Sequence, residues 1–114
     1  MTDRLAAERN VWIATVRADG RPHLVPVWYV VHDDRWYICT APGSVKARNI
    51  AHSPHVALAL EDGNDAYVVA GIAAPVEPPA EVARAFRAKY DWNITTDDHY
   101  TQTYAIEITG RIMG

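Results

Sequence analysis

The run from Pro22 to His32 constrains this chain more than any other stretch. Read as a strand, it places Leu24, Pro26, Trp28 and Val30 on one face and Val25, Val27, Tyr29 and Val31 on the other. A strand in a sheet with one wet face alternates apolar with polar residues, whereas this one must be covered on both sides. One cover is the core of a closed or nearly closed sheet. The other is a partner subunit, a flat ligand or a packed helix.

The neighbouring segments also read as strands. Val11-Trp12-Ile13-Ala14-Thr15-Val16 is β-branched and aromatic, and it runs to Asp19-Gly20, a strong hairpin signal. His32-Asp33-Asp34 turns the chain into Arg35–Thr40. His55–Glu61, Tyr67–Val76 and Gln102–Met113 complete a set of six expected strands. A short helix is expected over Ser44–His52, with Ser44 as N-cap and Ser53-Pro54 as its stop. A longer one is expected over Pro79–Tyr90, where Val82, Phe86 and Tyr90 share a face. A helical scrap precedes Val11. Hairpin spacing with few helices predicts one domain over residues 1–114, mainly β: a small antiparallel barrel with peripheral helices.

Composition narrows the function. Hydrophobic residues make up 49% and charged residues 22%, a globular balance. The net charge of −3 argues against a nucleic-acid partner, which needs a basic surface. No apolar run reaches membrane-spanning length, and the N-terminus lacks the apolar core of a secretion signal. The lone Cys39 excludes an internal disulfide, which fits a cytoplasmic protein, and it reads as a small core residue. The histidines His23, His32, His52, His55 and His99 do not fall at metal-ligand spacing, so no metal site is expected. His23 is expected to be exposed near the hairpin. Asp33-Asp34 and Asp97-Asp98 read as solvated turns. No nucleophile elbow, dinucleotide fingerprint or P-loop is present.

One stretch does suggest chemistry. Gly43-Ser44-Val45-Lys46-Ala47-Arg48-Asn49 follows a strand directly and opens a helix. A glycine turn, a hydroxyl and two cations at a helix start suit a phosphate, because unpaired N–H groups and the helix dipole favour an anion there. The plainer alternative is an ordinary helix start with surface cations. Trp28 is the tryptophan expected against a flat ligand, and Tyr90-Asp91-Trp92 forms either a cleft rim or a helix end packed on the barrel.

These segments together resemble the pyridoxamine 5′-phosphate oxidase-like family of FMN-binding split barrels, in particular its small flavin- and deazaflavin-dependent branch. The likeness runs through Val11–Val16, Asp19–His23, Val25–Tyr29, Thr40–Asn49, Ser53–Leu58 and Phe86–Trp92. It implies a six-stranded split barrel, a homodimer and two cofactor clefts between subunits. Carried over by position, Leu24, Val25, Pro26, Val27, Trp28 and Tyr29 would line the flavin ring. Thr40 would lie near the ribityl chain or phosphate, and Ser44 and Lys46 would hold the phosphate. Arg48 and Asn49 match a Lys-x-Arg-Asn pattern of the small branch. The cofactor implied is FMN or the deazaflavin F420, serving hydride or electron transfer to a small conjugated molecule. A carrier of flavin or haem without turnover is the alternative. No residue is singled out as catalytic. Val45 stands where some relatives carry a second phosphate-binding arginine, and Ala70 stands where many carry a glutamate before Gly71. In larger members a tail beyond the position of Met113 closes over the substrate or cofactor, and the resemblance to the small branch implies that such a tail is missing here.

Overall fold

A computed structural model describes residues 2–114, without the side chains of residues 2 and 3. The elements run α1 (Thr2–Ala7), β1 (Asn10–Val16), β2 (Pro22–Trp28), β3 (Val30–His32), β4 (Arg35–Thr40), α2 (Val45–His52), β5 (His55–Leu60), β6 (Val68–Val76), α3 (Ala80–Tyr90) and β7 (Gln102–Met113). A single sheet of seven strands has the order β2-β1-β5-β6-β7-β4-β3, and every pairing is antiparallel.

The sequence predicts six strands, and the difference is one break. The long strand Pro22–His32 divides at Tyr29 into β2 and β3, which form opposite edges of the sheet. The chain itself therefore spans the gap that a ladder would fill in a closed barrel. Tyr29 leaves both ladders, and its backbone groups find partners on α3. The Tyr90 hydroxyl accepts from the Tyr29 N–H at 3.0 Å. It also lies 2.8 Å from the Tyr29 carbonyl and 2.7 Å from that of Arg9, within donating distance of each. Lys89 donates to the Tyr29 carbonyl at 3.2 Å. Buried backbone groups need such partners wherever a ladder stops.

Truncating Tyr90 to phenylalanine should thus cost about 1–3 kcal/mol, the penalty for a buried N–H left unpaired. Urea denaturation would measure the loss, and the Tyr29 amide should exchange faster with solvent. Unchanged stability would mean that water replaces the hydroxyl.

Turn chemistry sets the hairpins. Asp33 and Asp34 take φ of 51° and 62° between β3 and β4, the left-handed pair that a two-residue hairpin loop requires. Gly20 has φ of 90° in the first hairpin. Gly71 serves a different need. A Cβ there would stand 2.8 Å from the Glu107 carbonyl oxygen and 2.7 Å from Ile106 Cγ2, so only glycine lets β6 approach β7 at its register shift.

Two apolar clusters hold the fold. Inside the curled sheet, Val11, Ile13, Tyr29, Ile38, Leu58 and Ile106 are fully or almost fully buried. On the other side of β4, the face of α3 formed by Val82, Phe86 and Tyr90 packs on Val30, Tyr37, Cys39 and Ala105. The two-sided strand is thereby explained in part. Val25, Val27 and Val31 pack on the inner cluster, and α3 covers Val30. Leu24 and Trp28 remain 59% and 41% exposed.

No helix among the described residues is long and apolar enough to cross a membrane.

Candidate functional site

The start of α2 is built as its residues dictate. Ser44 is the N-cap, and its hydroxyl accepts from the Ala47 N–H at 3.2 Å. The same oxygen lies 3.0 Å from Oγ1 of Thr40, a fully buried residue at the end of β4. This hydroxyl pair ties strand end to helix start and fixes the first turn, which carries Lys46. Lys46 is half-buried and has no carboxylate partner among the described ion pairs. Burial pulls its pKa below the usual lysine value, which marks an ammonium short of a counter-charge.

Lys46 lines an open cleft of about 330 Å³. The other walls are Asn10, Pro26, Val27, Trp28, Cys39, Trp92, Asp97 and Tyr100. Its aromatic side is ordered by stacking. The Trp28 and Tyr90 rings lie 4.5 Å apart and 9° from parallel, and Trp92 meets Trp28 edge-on at 5.8 Å. The Arg9 guanidinium stands 4.8 Å from the Tyr90 ring centroid. Tyr100 meets Trp92 at 5.9 Å and 89°.

Asp97 organises this wall, beyond the solvated turn expected of it. Its carboxylate accepts from the backbone N–H groups of Tyr100 and His99, each at 2.8 Å, and from Trp92 Nε1 at 2.9 Å. Those bonds, led by the Tyr100 amide, hold its carboxyl below the usual aspartate range. Cys39 adds a protonated thiol, since burial pushes its pKa up while Thr103 Oγ1 lies 3.3 Å away. It is a wall residue rather than a nucleophile.

The structure gathers some of the expected residues and separates others. Pro26, Val27, Trp28 and Lys46 share the cleft, and Thr40 and Ser44 pair at the start of the helix that carries Lys46 without lining the cleft. Val25 turns into the core and Leu24 onto the outer sheet face. Tyr29 is fully buried, with its hydroxyl donating to the Leu5 carbonyl at 2.6 Å. Asn49 is buried and donates to Thr15 Oγ1 at 3.0 Å, a bond that locks α2 to β1. Arg48 is exposed, donates to the Gly43 carbonyl at 3.3 Å and lines a different hollow beside Arg17, Arg21 and His52. None of these five side chains lines the cleft. Asn10, Cys39, Trp92, Asp97 and Tyr100 complete the walls, and of these only Trp92 was expected from the sequence at a cleft rim.

His23 is half-buried rather than exposed, and its Nδ1 is buried without a partner. Burial first, then Arg17 and Lys46, lower its pKa and keep the ring neutral at neutral pH. Among the described residues no cluster of metal-ligating side chains exists.

Comparison with known proteins bears on the fold and the family. The chain is similar in structure to HutZ, the haem storage protein of Vibrio cholerae, at 16% identity and a TM-score of 0.79, covering 98% of this chain and 92% of that one. It is similar to an F420 reductase at 21% identity and a TM-score of 0.78, covering 96% and 93%. A conserved hypothetical protein of Mycobacterium tuberculosis matches at 26% identity and a TM-score of 0.75, covering 97% and 78%. At such identities the first two likenesses speak to the fold alone. None of the curated proteins matches the chain in sequence. The sequence pattern of the pyridoxamine 5′-phosphate oxidase family matches residues 1–110, and on that match the chain belongs to this family.

Proposed function

We propose that this chain is an oxidoreductase that binds a flavin-type cofactor, F420 or FMN, and acts on a small conjugated molecule. The observation that carries the reading is the placement of Lys46 and the Pro26–Trp28 edge in one cleft. A ribityl phosphate suits an under-neutralised ammonium on the first turn of a helix. A flat ring suits the strand edge and the aromatic wall. The cofactor would supply hydride or electron transfer. The protein's share is to bind and orient: Lys46 holds charge, Ser44 and Thr40 set the turn, and Pro26, Val27 and Trp28 position the ring. The aromatic wall would flank the ring. The working unit of this proposal is a cytoplasmic homodimer with a cofactor between subunits.

A second reading is carriage of haem or flavin without turnover, and the likeness to a haem storage protein favours it. Haem needs an axial ligand. No histidine lines the cleft among the described residues, but the His99 ring lies 4.7 Å from that of Tyr100, at its wall.

Parallel titrations with F420, FMN and haem separate these readings. Tryptophan quenching should saturate with F420 or FMN, and the bound cofactor should be reduced and reoxidised when a reductant and a conjugated acceptor are supplied. Saturation with haem alone, with a Soret shift lost in His99→Ala, would replace the enzyme reading by the carrier. Binding of none of the three would remove both.

A further inference from the structure

A second cleft, of about 400 Å³, lies between α1, β3 and α3. Its volume falls in the range of ligand sites, about 300–1,000 Å³. It shares no lining residue with the cleft at Lys46. Its walls are apolar, with Leu5 from α1, Val30 and Val31 from β3, and Ala85 from α3, and the one polar side chain in it among the described residues is Lys89. Lys89 Nζ donates to the carbonyls of Tyr29 at 3.2 Å and Leu5 at 3.4 Å, and stands 4.0 Å from the Tyr29 ring centroid. An ammonium has three donors, so one is left without a protein acceptor among the described residues. Neither carbonyl neutralises the charge, and no carboxylate pairs with it among the described ion pairs.

We propose that this cleft is a binding site for a small apolar monocarboxylate, whose carboxylate pairs with the Lys89 ammonium while its hydrocarbon part covers the alanine and valine walls. One cation set among apolar walls matches one negative charge. A phosphate dianion would keep an unpaired charge there, and a neutral lipid would leave the ammonium as it is. The charged groups around the lysine fit this role. Burial, reinforced by Arg9, lowers its pKa to about 8 against the opposing pull of Glu8 and Glu61. The ammonium therefore predominates at neutral pH, and carboxylate affinity should hold below pH 8 and fall as pH rises through that value.

The test is a titration of the whole protein with octanoate, with octanol as its uncharged counterpart, followed by NMR. Saturable shifts at the Val30, Val31 and Ala85 methyls are expected, with octanoate binding more tightly than octanol. Lys89→Met should weaken octanoate about tenfold or more and leave octanol unchanged. Lys89 also braces Tyr29, so a second variant keeps the test clean. Ala88→Glu changes an exposed position at the cleft and supplies the missing carboxylate from the protein. It should weaken octanoate similarly. Shifts that do not saturate, equal affinity for octanoate and octanol, or octanoate binding untouched by Ala88→Glu would each overturn the proposal. These results do not depend on the cofactor cleft, since FMN and F420 binding is read separately.

Discussion

Lys46→Ala is expected to weaken cofactor binding by about 1.5–3 kcal/mol, tenfold or more, as measured by tryptophan quenching with F420 and with FMN. The size follows from the environment of the ammonium. It is half-buried, short of a counter-charge and held by a helix turn that Ser44 and Thr40 fix in place. A phosphate there would gain a charge-assisted bond without first having to displace a protein carboxylate. Arg48→Ala makes the contrast. That guanidinium lies on the Gly43 carbonyl and in a separate hollow, so its loss should change affinity by less than about threefold, within the range of ordinary surface substitutions. The sign with pH is set by the same burial. Binding needs protonated Lys46, so affinity is full at neutral pH and falls as pH rises through a lysine pKa that lies below its ordinary value. Equal losses in the two variants would mean that both cations reach the phosphate. Unchanged affinity in Lys46→Ala would remove the anchor altogether.

What the sequence made legible was the local part of this architecture. Ser44 announced the helix start because an N-cap is recognised by one side chain and the next turn. Val82, Phe86 and Tyr90 announced the buried face of α3 because their spacing is helical. The break at Tyr29 was not legible. Its backbone is satisfied by Lys89 and Tyr90, some sixty positions away, and nothing in Trp28-Tyr29-Val30 departs from a strand pattern. The same distinction divides the candidate site. Lys46 and Pro26–Trp28 stand on motifs that can be read in line. Asn10, Cys39 and Tyr100 reach the cleft only because β1, β4 and the loop before β7 converge on it. Asp97 had a readable signal, an aspartate two and three residues before the amides that it binds, but burial of Trp92 against it was needed to give the pattern weight. Asn49 shows the opposite case: its motif matched, yet the helix phase turns it onto Thr15.

The outer face of the sheet carries the other large expected effect. Strand register places Pro26, Trp12, Ala59 and Val68 in one row across β2, β1, β5 and β6, and Leu24, Ala14, Ala57 and Ala70 in the next. Trp12, Val16, Leu24, Trp28 and Ile72 are each 39–59% exposed on this side. Flat apolar rows with so little charge are what a second copy of the chain would cover. They include Pro26 and Trp28, which also border the cleft at Lys46, so a partner seated here would close that cleft as well. Trp12→Glu should then convert a dimer to a monomer, because an unpaired carboxylate buried in the interface costs about 3–5 kcal/mol, a hundredfold or more in association. Trp12 faces outward, so the monomer should stay folded and keep its far-UV spectrum. Sedimentation at micromolar concentration reads the first effect, and cofactor titration of the same variant reads the second. A monomeric variant that binds cofactor with undiminished affinity would show that one subunit holds the whole site. A wild-type chain already monomeric would leave this face to another partner and overturn the dimer.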